Sequence, residues 1–436
     1  MRLVRAHTLT ALAAAWLGAV GCGVVANLGD PKVLGPAPPS STEDAGAPPS
    51  NVQAVSIAVG EAHACAVMQD DTGSPVNGTV RCWGANAQGE LGSDPVATPV
   101  SWSPLAVEGL NSVESVALSA NYSCAITTDH YLLCWGGVAG ETENGVHRED
   151  STVAYVPSQM DLHLEPLVPV ASVSTGPSGG CAVFQQSLAC WGDENYAPSS
   201  AVDAGVTELD GGVVIGDDNF QTAAVGSAHV CAIASRSGAS DVECWGSNTN
   251  GQTGVDPEVN PFRVTRPTPV GLAAIDVAVQ IVAGGNDSCA LLRNKAVYCW
   301  GQNDRGQLGN PTLTMDSATP TLVNLGAGAV EIAIADSHAC AVLDDRSVWC
   351  WGDNSVGQLG VGAGSPPFSA TPMRVDKLVN GMPVPLISVN HIAAGGLTSC
   401  AIRYGDPHVW CWGANENGQT GQAPSNAVGF ATAFSF

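Results

Sequence analysis

The sequence predicts an all-β fold: a seven-bladed β-propeller of four-stranded blades, with one disulfide inside each blade. Three observations carry this. The triplet Cys-Trp-Gly occurs seven times, with its cysteine at Cys82, Cys134, Cys190, Cys244, Cys299, Cys350 and Cys411. A second cysteine, followed by Ala and usually an aliphatic residue, stands upstream of each: Cys65, Cys124, Cys181, Cys231, Cys289, Cys340 and Cys400. Between these landmarks the apolar residues alternate with the two-residue period of a strand. A unit recurring every 51 to 61 residues and holding four short strands has the length of a propeller blade. Radial closure protects edges that an open sheet would expose.

Each strand of a unit can be read in turn. Val55-Ser56-Ile57-Ala58-Val59 and Val330-Glu331-Ile332-Ala333-Ile334 form the first, each running into a glycine or small-residue turn. The second carries the upstream cysteine. A polar turn follows, Arg293-Asn294-Lys295 in unit five and Leu343-Asp344-Asp345-Arg346-Ser347 in unit six. The third strand ends in Cys-Trp, and a fourth follows a glycine-rich loop, as at Pro320-Thr321-Leu322-Val323.

The cysteines read as staples. Cys289 and Cys299 flank nine residues centred on Asn294, so a hairpin folded there sets them opposite each other on adjacent strands. The same reading pairs Cys65 with Cys82, Cys124 with Cys134, Cys181 with Cys190, Cys231 with Cys244, Cys340 with Cys350 and Cys400 with Cys411. Metal is the rival reading, but no Cys-x-x-Cys occurs and no pair has a companion pair, so no metal site is expected. The position two before the upstream cysteine is His63, Tyr122, Gly179, His229, Asp287, His338 or Thr398. That variety assigns His63, His229 and His338 to turns or packing rather than to catalysis. The triplet tryptophans are expected in the core between neighbouring blades.

The loop after the triplet is distinctive. Units five and six read Gly301-Gln302-Asn303-Asp304-Arg305-Gly306-Gln307-Leu308-Gly309 and Gly352-Asp353-Asn354-Ser355-Val356-Gly357-Gln358-Leu359-Gly360. Units one, four and seven vary it with Glu90, Thr253 and Thr420. Here the chain resembles the regulator of chromosome condensation repeat family, from about Val52 to the C-terminus. The resemblance implies a seven-bladed propeller used to bind other molecules. Some relatives exchange nucleotide on a small GTPase and bind chromatin, and a secreted bacterial relative grips an enzyme with one rim. Units two and three lose the Gly-Gln-Leu-Gly end at Val138-Ala139-Gly140-Glu141 and Asp193-Glu194-Asn195-Tyr196. Two readings stand for them: drift in unconstrained loops, or one rim remodelled for a ligand.

The first fifty residues read as targeting rather than fold. A basic start with Arg2 and Arg5 leads into a short apolar run, Leu9 to Val20, and then Ala19-Val20-Gly21-Cys22. This predicts a lipoprotein-type signal peptide over 1–22, with Cys22 as the lipidated new N-terminus; an ordinary cleaved signal peptide is the alternative. Residues 23–50, rich in Pro, Gly, Ser and Ala, predict a semi-extended tether, and 51–436 the propeller. Fifteen cysteines suit the oxidising compartment that an export signal implies.

Charge narrows the partners. The 15 Lys and Arg against 40 Asp and Glu give a formal net charge of -25, which repels nucleic acid and anionic lipid heads. Membrane contact is expected through the N-terminal lipid alone, and the chain is expected to be a monomer. No nucleophile elbow, phosphate loop or His-Glu-x-x-His helix appears, so no catalytic residue and no cofactor are assigned. The acids lie mostly in turns, as at Asp70-Asp71, Asp217-Asp218 and Asp344-Asp345. The expected role is an exported binding scaffold at the bacterial cell envelope, with a protein partner at one rim. Its outer-membrane or cell-surface placement has a periplasmic or extracellular alternative. The other functional readings are a polysaccharide hydrolase or lyase using loop carboxylates or calcium, and a purely structural envelope protein.

Overall fold

A computed structural model describes residues 52–70, 78–137, 155–160, 169–192, 195–196, 206–209, 212–215, 219–236, 239–362 and 365–436. The expected leader, Cys22 and tether lie outside these residues. Seven sheets follow one another along the chain, antiparallel except where Lys377 pairs in parallel with Ala431 in the last, each built from consecutive strands, and they form the blades of one propeller. In blade 5 the strands run from the centre outward as Ala278–Gly284, Asp287–Leu292, Val297–Gly301 and Ser317–Leu322. Blades 3 and 7 depart from four strands. Blade 3 has five, because a hairpin of Val206–Leu209 and Gly212–Ile215 takes the outer place.

Blade 7 has six strands. The hairpin Asp376–Val379 and Met382–Pro385 precedes its inner strand and joins the sheet beside the terminal strand Ser425–Phe434. The new edge is blunted by Pro383 and Pro385, which have no N–H to offer another strand.

Two backbone irregularities recur. Every inner strand slips by one residue in its pairing, between Ala54 and Ser56 in blade 1 and between Ala278 and Gln280 in blade 5. Such bulges re-aim the next side chain. The triplet glycine has φ near +100° in all seven blades, from +92° at Gly136 to +111° at Gly301. A Cβ at Gly301 would lie 2.4 Å from the Asn286 carbonyl oxygen, so only glycine lets the third strand leave the sheet there.

The core is a set of seven seams between blades. Adjacent residues on a strand point to opposite faces, so the Cys and Trp of each triplet serve different seams. Disulfide Cys289–Cys299 of blade 5 packs in one apolar cluster with Trp351 of blade 6, and Cys340–Cys350 packs with Trp412 of blade 7. Each of the other five disulfides likewise shares a cluster with the tryptophan of the following blade. At the last of these seams Trp83 of blade 1 packs against Cys400–Cys411 and meets Phe434 edge-on, ring centroids 4.9 Å apart. The C-terminal residues thus close the ring, as the repeat order requires.

All seven cysteine pairs stand as expected, directly opposite one another with Cα atoms 4.0–4.1 Å apart. Each closes a short local loop, so removing one leaves six staples and every seam hydrogen bond in place. Replacing Cys289 and Cys299 together by Ala should therefore lower stability by about 3 kcal/mol and preserve the propeller. Denaturant unfolding followed by circular dichroism checks this; loss of native β-structure would show that a staple is required for the fold itself.

Candidate functional site: the seams and the loop rim

The loop signature is explained by the bonds it makes. In blade 5 the Asn303 side chain spans its loop, Nδ2 donating to the Leu313 and Met315 carbonyls and Oδ1 accepting from the Leu308 amide. Gln307 Oε1 accepts from the Arg305 amide at 2.8 Å. Leu308 is buried. These bonds hold the Gln307 carbonyl where Trp351 of the next blade donates to it from Nε1, at 2.9 Å. The same latch joins Trp83 to Gln419, Trp135 to Glu90, Trp300 to Gln252 and Trp412 to Gln358.

Blade 3 keeps the latch without the motif: Trp245 Nε1 donates to the Tyr196 carbonyl, and the Tyr196 hydroxyl reaches the Gly226 and Ser227 carbonyls. Most of the altered loops, 138–154, 161–168, 193–194 and 197–205, lie outside the described residues.

The histidines belong to the same seams. His63, His229 and His338 are buried, their Nε2 atoms 2.9, 2.8 and 2.8 Å from the hydroxyls of Ser123, Ser288 and Ser399 in the next blade. Ser123 and Ser288 donate onward to the latch carbonyls of Glu90 and Gln252. A serine that donates there must accept from histidine, so the imidazole carries its proton on Nε2 and Nδ1 is left without a partner. Burial depresses the pKa of His63 and His229 to about 3 and that of His338 to about 4, so all three are neutral.

The seam between blades 5 and 6 breaks this pattern. Asp287 replaces the histidine and Ala339 the serine; the carboxyl is buried with neither oxygen hydrogen-bonded. Burial, and then the charges of Asp336, Asp304 and Asp316, raise its pKa well above the ordinary carboxylate range.

Residues after the inner-strand bulge form a third set of ties, missed from sequence because the bulge is not visible there. Gln280 bonds both the N–H and the C=O of Ile332 in the next blade, at 3.0 and 2.9 Å. Glu331 accepts from the Ile392 amide at 2.9 Å, with His391 Nδ1 3.7 Å from its other oxygen. Inside them runs a central cavity of about 100 Å³ whose lining draws on all seven blades and is mostly aliphatic, with Ala58, Ala117, Val225 and Ile332 among its residues.

The ring has two rims. One bears the second-to-third-strand hairpins, including Asp344 and Asp345. The other bears the latch loops and the inner turns, with exposed Glu61 and Asp336 at the channel mouth. On this loop rim Val259, Phe262 and Met315 are 72, 77 and 75% exposed. Asp71, Asp217 and Asp218 lie outside the described residues. Among the described residues no cluster of three metal-ligating side chains forms.

Sequence and fold comparisons agree with this architecture. Two profiles of the regulator of chromosome condensation (RCC1) repeat match the chain, one at 278–307, 329–358 and 389–419, the other at 296–342 and 345–402. The ultraviolet-B receptor UVR8 of Arabidopsis thaliana is 31% identical over 199 residues, 44% of this chain and 41% of the receptor. The probable E3 ubiquitin-protein ligase HERC6 of Homo sapiens is 29% identical over 189 residues, 42% of this chain. The match spans only 17% of that ligase's length. The solved structure of Prp20p from Saccharomyces cerevisiae superposes with a TM-score of 0.65 at 19% identity, over 82% of this chain and 86% of Prp20p. That likeness concerns the fold.

Two expectations follow from the seams. Trp351→Phe keeps the ring and removes the latch bond, leaving the buried Gln307 carbonyl unsatisfied, and should cost about 1–3 kcal/mol in denaturant unfolding. An unchanged midpoint would remove the latch from the energetics. The pH expectation has two parts. Histidines with depressed pKa take up protons in the unfolded chain first, so stability falls as pH drops below 6.5, by about 2 kcal/mol per buried histidine at pH 5. Asp287 acts oppositely: the stability of its protonated form is lost as pH rises from the unfolded value of 3.8 through the raised folded one. Asp287→Asn, or Asp287→His with Ala339→Ser, should then raise the melting temperature at pH 7. Profiles of the regulator of chromosome condensation repeat thus match the last three blades, and there the chain is similar to that repeat family.

Proposed function

We propose that this chain is an exported, lipid-anchored propeller that serves as a protein-binding scaffold at the bacterial cell envelope. Propellers of this repeat type are commonly protein-interaction scaffolds. The observation that carries the reading is the seam construction: seven local disulfides and a latch network fix the ring, while the loops around one rim project from it. A rigid frame with variable projecting loops lowers the entropy of ordering a contact surface. Prp20p itself has binding properties toward Gsp1p and histones, which supports a binding role for the fold and no particular partner here.

Export rests on the cysteine pairs together with the leader pattern ending at Cys22, and the Pro-rich 23–50 supplies a tether of useful reach. A carboxylate-based polysaccharide hydrolase or lyase is the second reading, drawing on Glu61 and Asp336, whose charges repel each other at the channel mouth.

Mass spectrometry of the native protein tests the anchor. The expected N-terminal peptide begins at Cys22 and carries a diacylglyceryl group; a mature chain starting after Cys22, or bearing a free thiol there, rejects it. Crosslinking of the full chain in its native envelope tests the scaffold, with a stoichiometric protein adduct expected at one rim.

A further inference from the structure

We infer that the loop rim over blades 4 and 5 is the docking surface, and that it takes a protein partner presenting apolar side chains ringed by Lys and Arg. This rests on the scaffold reading and names the partner's chemistry. Phe262 and Met315 occupy comparable places, each just before the register position at which its outer strand enters the rim. Val259 is on the same loop, three residues before Phe262. All three are 72–77% exposed and stand on the loop rim of two adjacent blades, the kind of apolar grouping that marks a contact surface.

Their loops are held together. Asn250 Nδ2 of the blade 4 loop donates to Asp316 Oδ2 of blade 5 at 2.7 Å, and the Asp316 Oδ1 accepts from the Asn303 amide at 2.9 Å. Gly251 takes φ +80° and lies so close to Ala318 that a Cβ there would come within 2.8 Å of it. The apolar groups are therefore presented on a pre-ordered surface rather than on loose loops.

Charge selects the occupant. Asp256 and Glu258 are exposed on the loop that carries Val259 and Phe262, Asp304 and Asp316 on the loop that carries Met315, and Asp336 on the neighbouring inner turn of blade 6. The basic side chains of these loops and of the outer strand they enter are Arg263, Arg266 and Arg305, and Arg305 lies 3.9 Å from Asp304. The opposite rim of blades 5 to 7 is balanced, with pairs such as Lys295–Asp344 at 2.6 Å and Arg403–Asp406 at 2.8 Å. An apolar patch inside a negative field favours a partner with a basic surround and rejects acidic ones. It likewise disfavours nucleic acid and anionic lipid, whose phosphates it repels.

The test uses the full disulfide-bonded chain and a synthetic peptide probe alternating Lys pairs with Leu and Phe, beside the same peptide with Glu for Lys. The Lys probe should bind with micromolar affinity and the Glu probe at least tenfold more weakly. Phe262→Ser with Met315→Ser should weaken the Lys probe at least tenfold. Asp256→Asn with Glu258→Gln should weaken it several-fold and flatten its salt dependence. Ile387→Ser with Tyr404→Ser, on the hairpin rim, should change nothing. All these positions are exposed and lie in loops or turns, and an unchanged melting temperature confirms that each variant folds.

Equal binding of both probes, or loss only in the hairpin-rim variant, overturns the assignment. A photo-crosslinker at 262 or at 387 in the producing cell separates the two levels of the claim. An adduct to a basic protein at 262 supports both. An adduct at 387 alone sinks this rim and leaves the scaffold reading standing, and none at either position sinks both.

Discussion

The structure depends on one contact found at six of the seven seams: a triplet tryptophan whose ring packs on the preceding blade's disulfide while its indole N–H donates to that blade's loop carbonyl; Trp191 packs the same way, with no such bond among the described residues. The two halves do different work. Burying an indole removes on the order of 200 Å² from water, worth about 5 kcal/mol against an extended chain. The hydrogen bond adds about 1 kcal/mol net. It is directional, though, and the ring packing is not, so the bond sets the angle at which successive blades meet. Everything in the loop signature serves that carbonyl. Asn303 closes the loop, Gln307 turns its own main chain toward the seam, Leu308 fills the space beneath, and Gly309 passes the Trp351 ring where a Cβ would lie 2.8 Å from Nε1.

This explains why so much of the fold was legible in the sequence. A strand that must offer sulfur to one neighbour and an indole to the other, then leave the sheet through a left-handed turn, has few solutions besides Cys-Trp-Gly. Seven copies make them plain, and the hairpin centres pair the cysteines. The seam histidines were legible as packing residues, but their partners were not. Ser123 lies 60 residues from His63 and looks like any serine in a strand. Tyr196 was hidden for a deeper reason: the acceptor at the latch is a main-chain carbonyl, which any residue supplies, so a loop can lose its motif and keep its function. The post-bulge residues were invisible because the slip in register that aims Gln280 and Glu331 across a seam leaves no mark on composition. The six-stranded seventh blade also went unread, its extra hairpin being short and far from the triplet.

Function was less legible because the latch confines strict sequence requirements to the base of each loop. Beyond Leu308 the chain has only to travel from the seam to its outer strand, and there Met315 and Asp316 differ freely from Phe262 and Arg263. A partner would be chosen by such residues, which no repeat pattern constrains. What the pattern supplies is the frame, and a frame stapled within each blade tolerates change at its rim without loss of the ring.

The seams also decide where charge can sit. A chain of net charge -25 carries considerable self-repulsion, and the interior cannot absorb it. The polar groups that tie the seams are mostly neutral: imidazoles with one proton, serines, side-chain amides, and at the 5–6 seam an Asp287 that burial pushes toward its protonated form; the buried Lys377 ammonium lies instead over the Trp410 ring. Glu90 meets the same pressure where other blades use Gln; burial raises its pKa although the Gln88 amide donates to it at 2.8 Å. Negative charge is thereby driven outward onto turns and loops, where solvent and salt screen it. On the hairpin rim of the last three blades basic residues answer it pair by pair. Over blades 4 and 5 carboxylates outnumber them, and that surplus shares its surface with Phe262 and Met315. The neutrality that the seams demand and the charge asymmetry of the rims are two consequences of one composition.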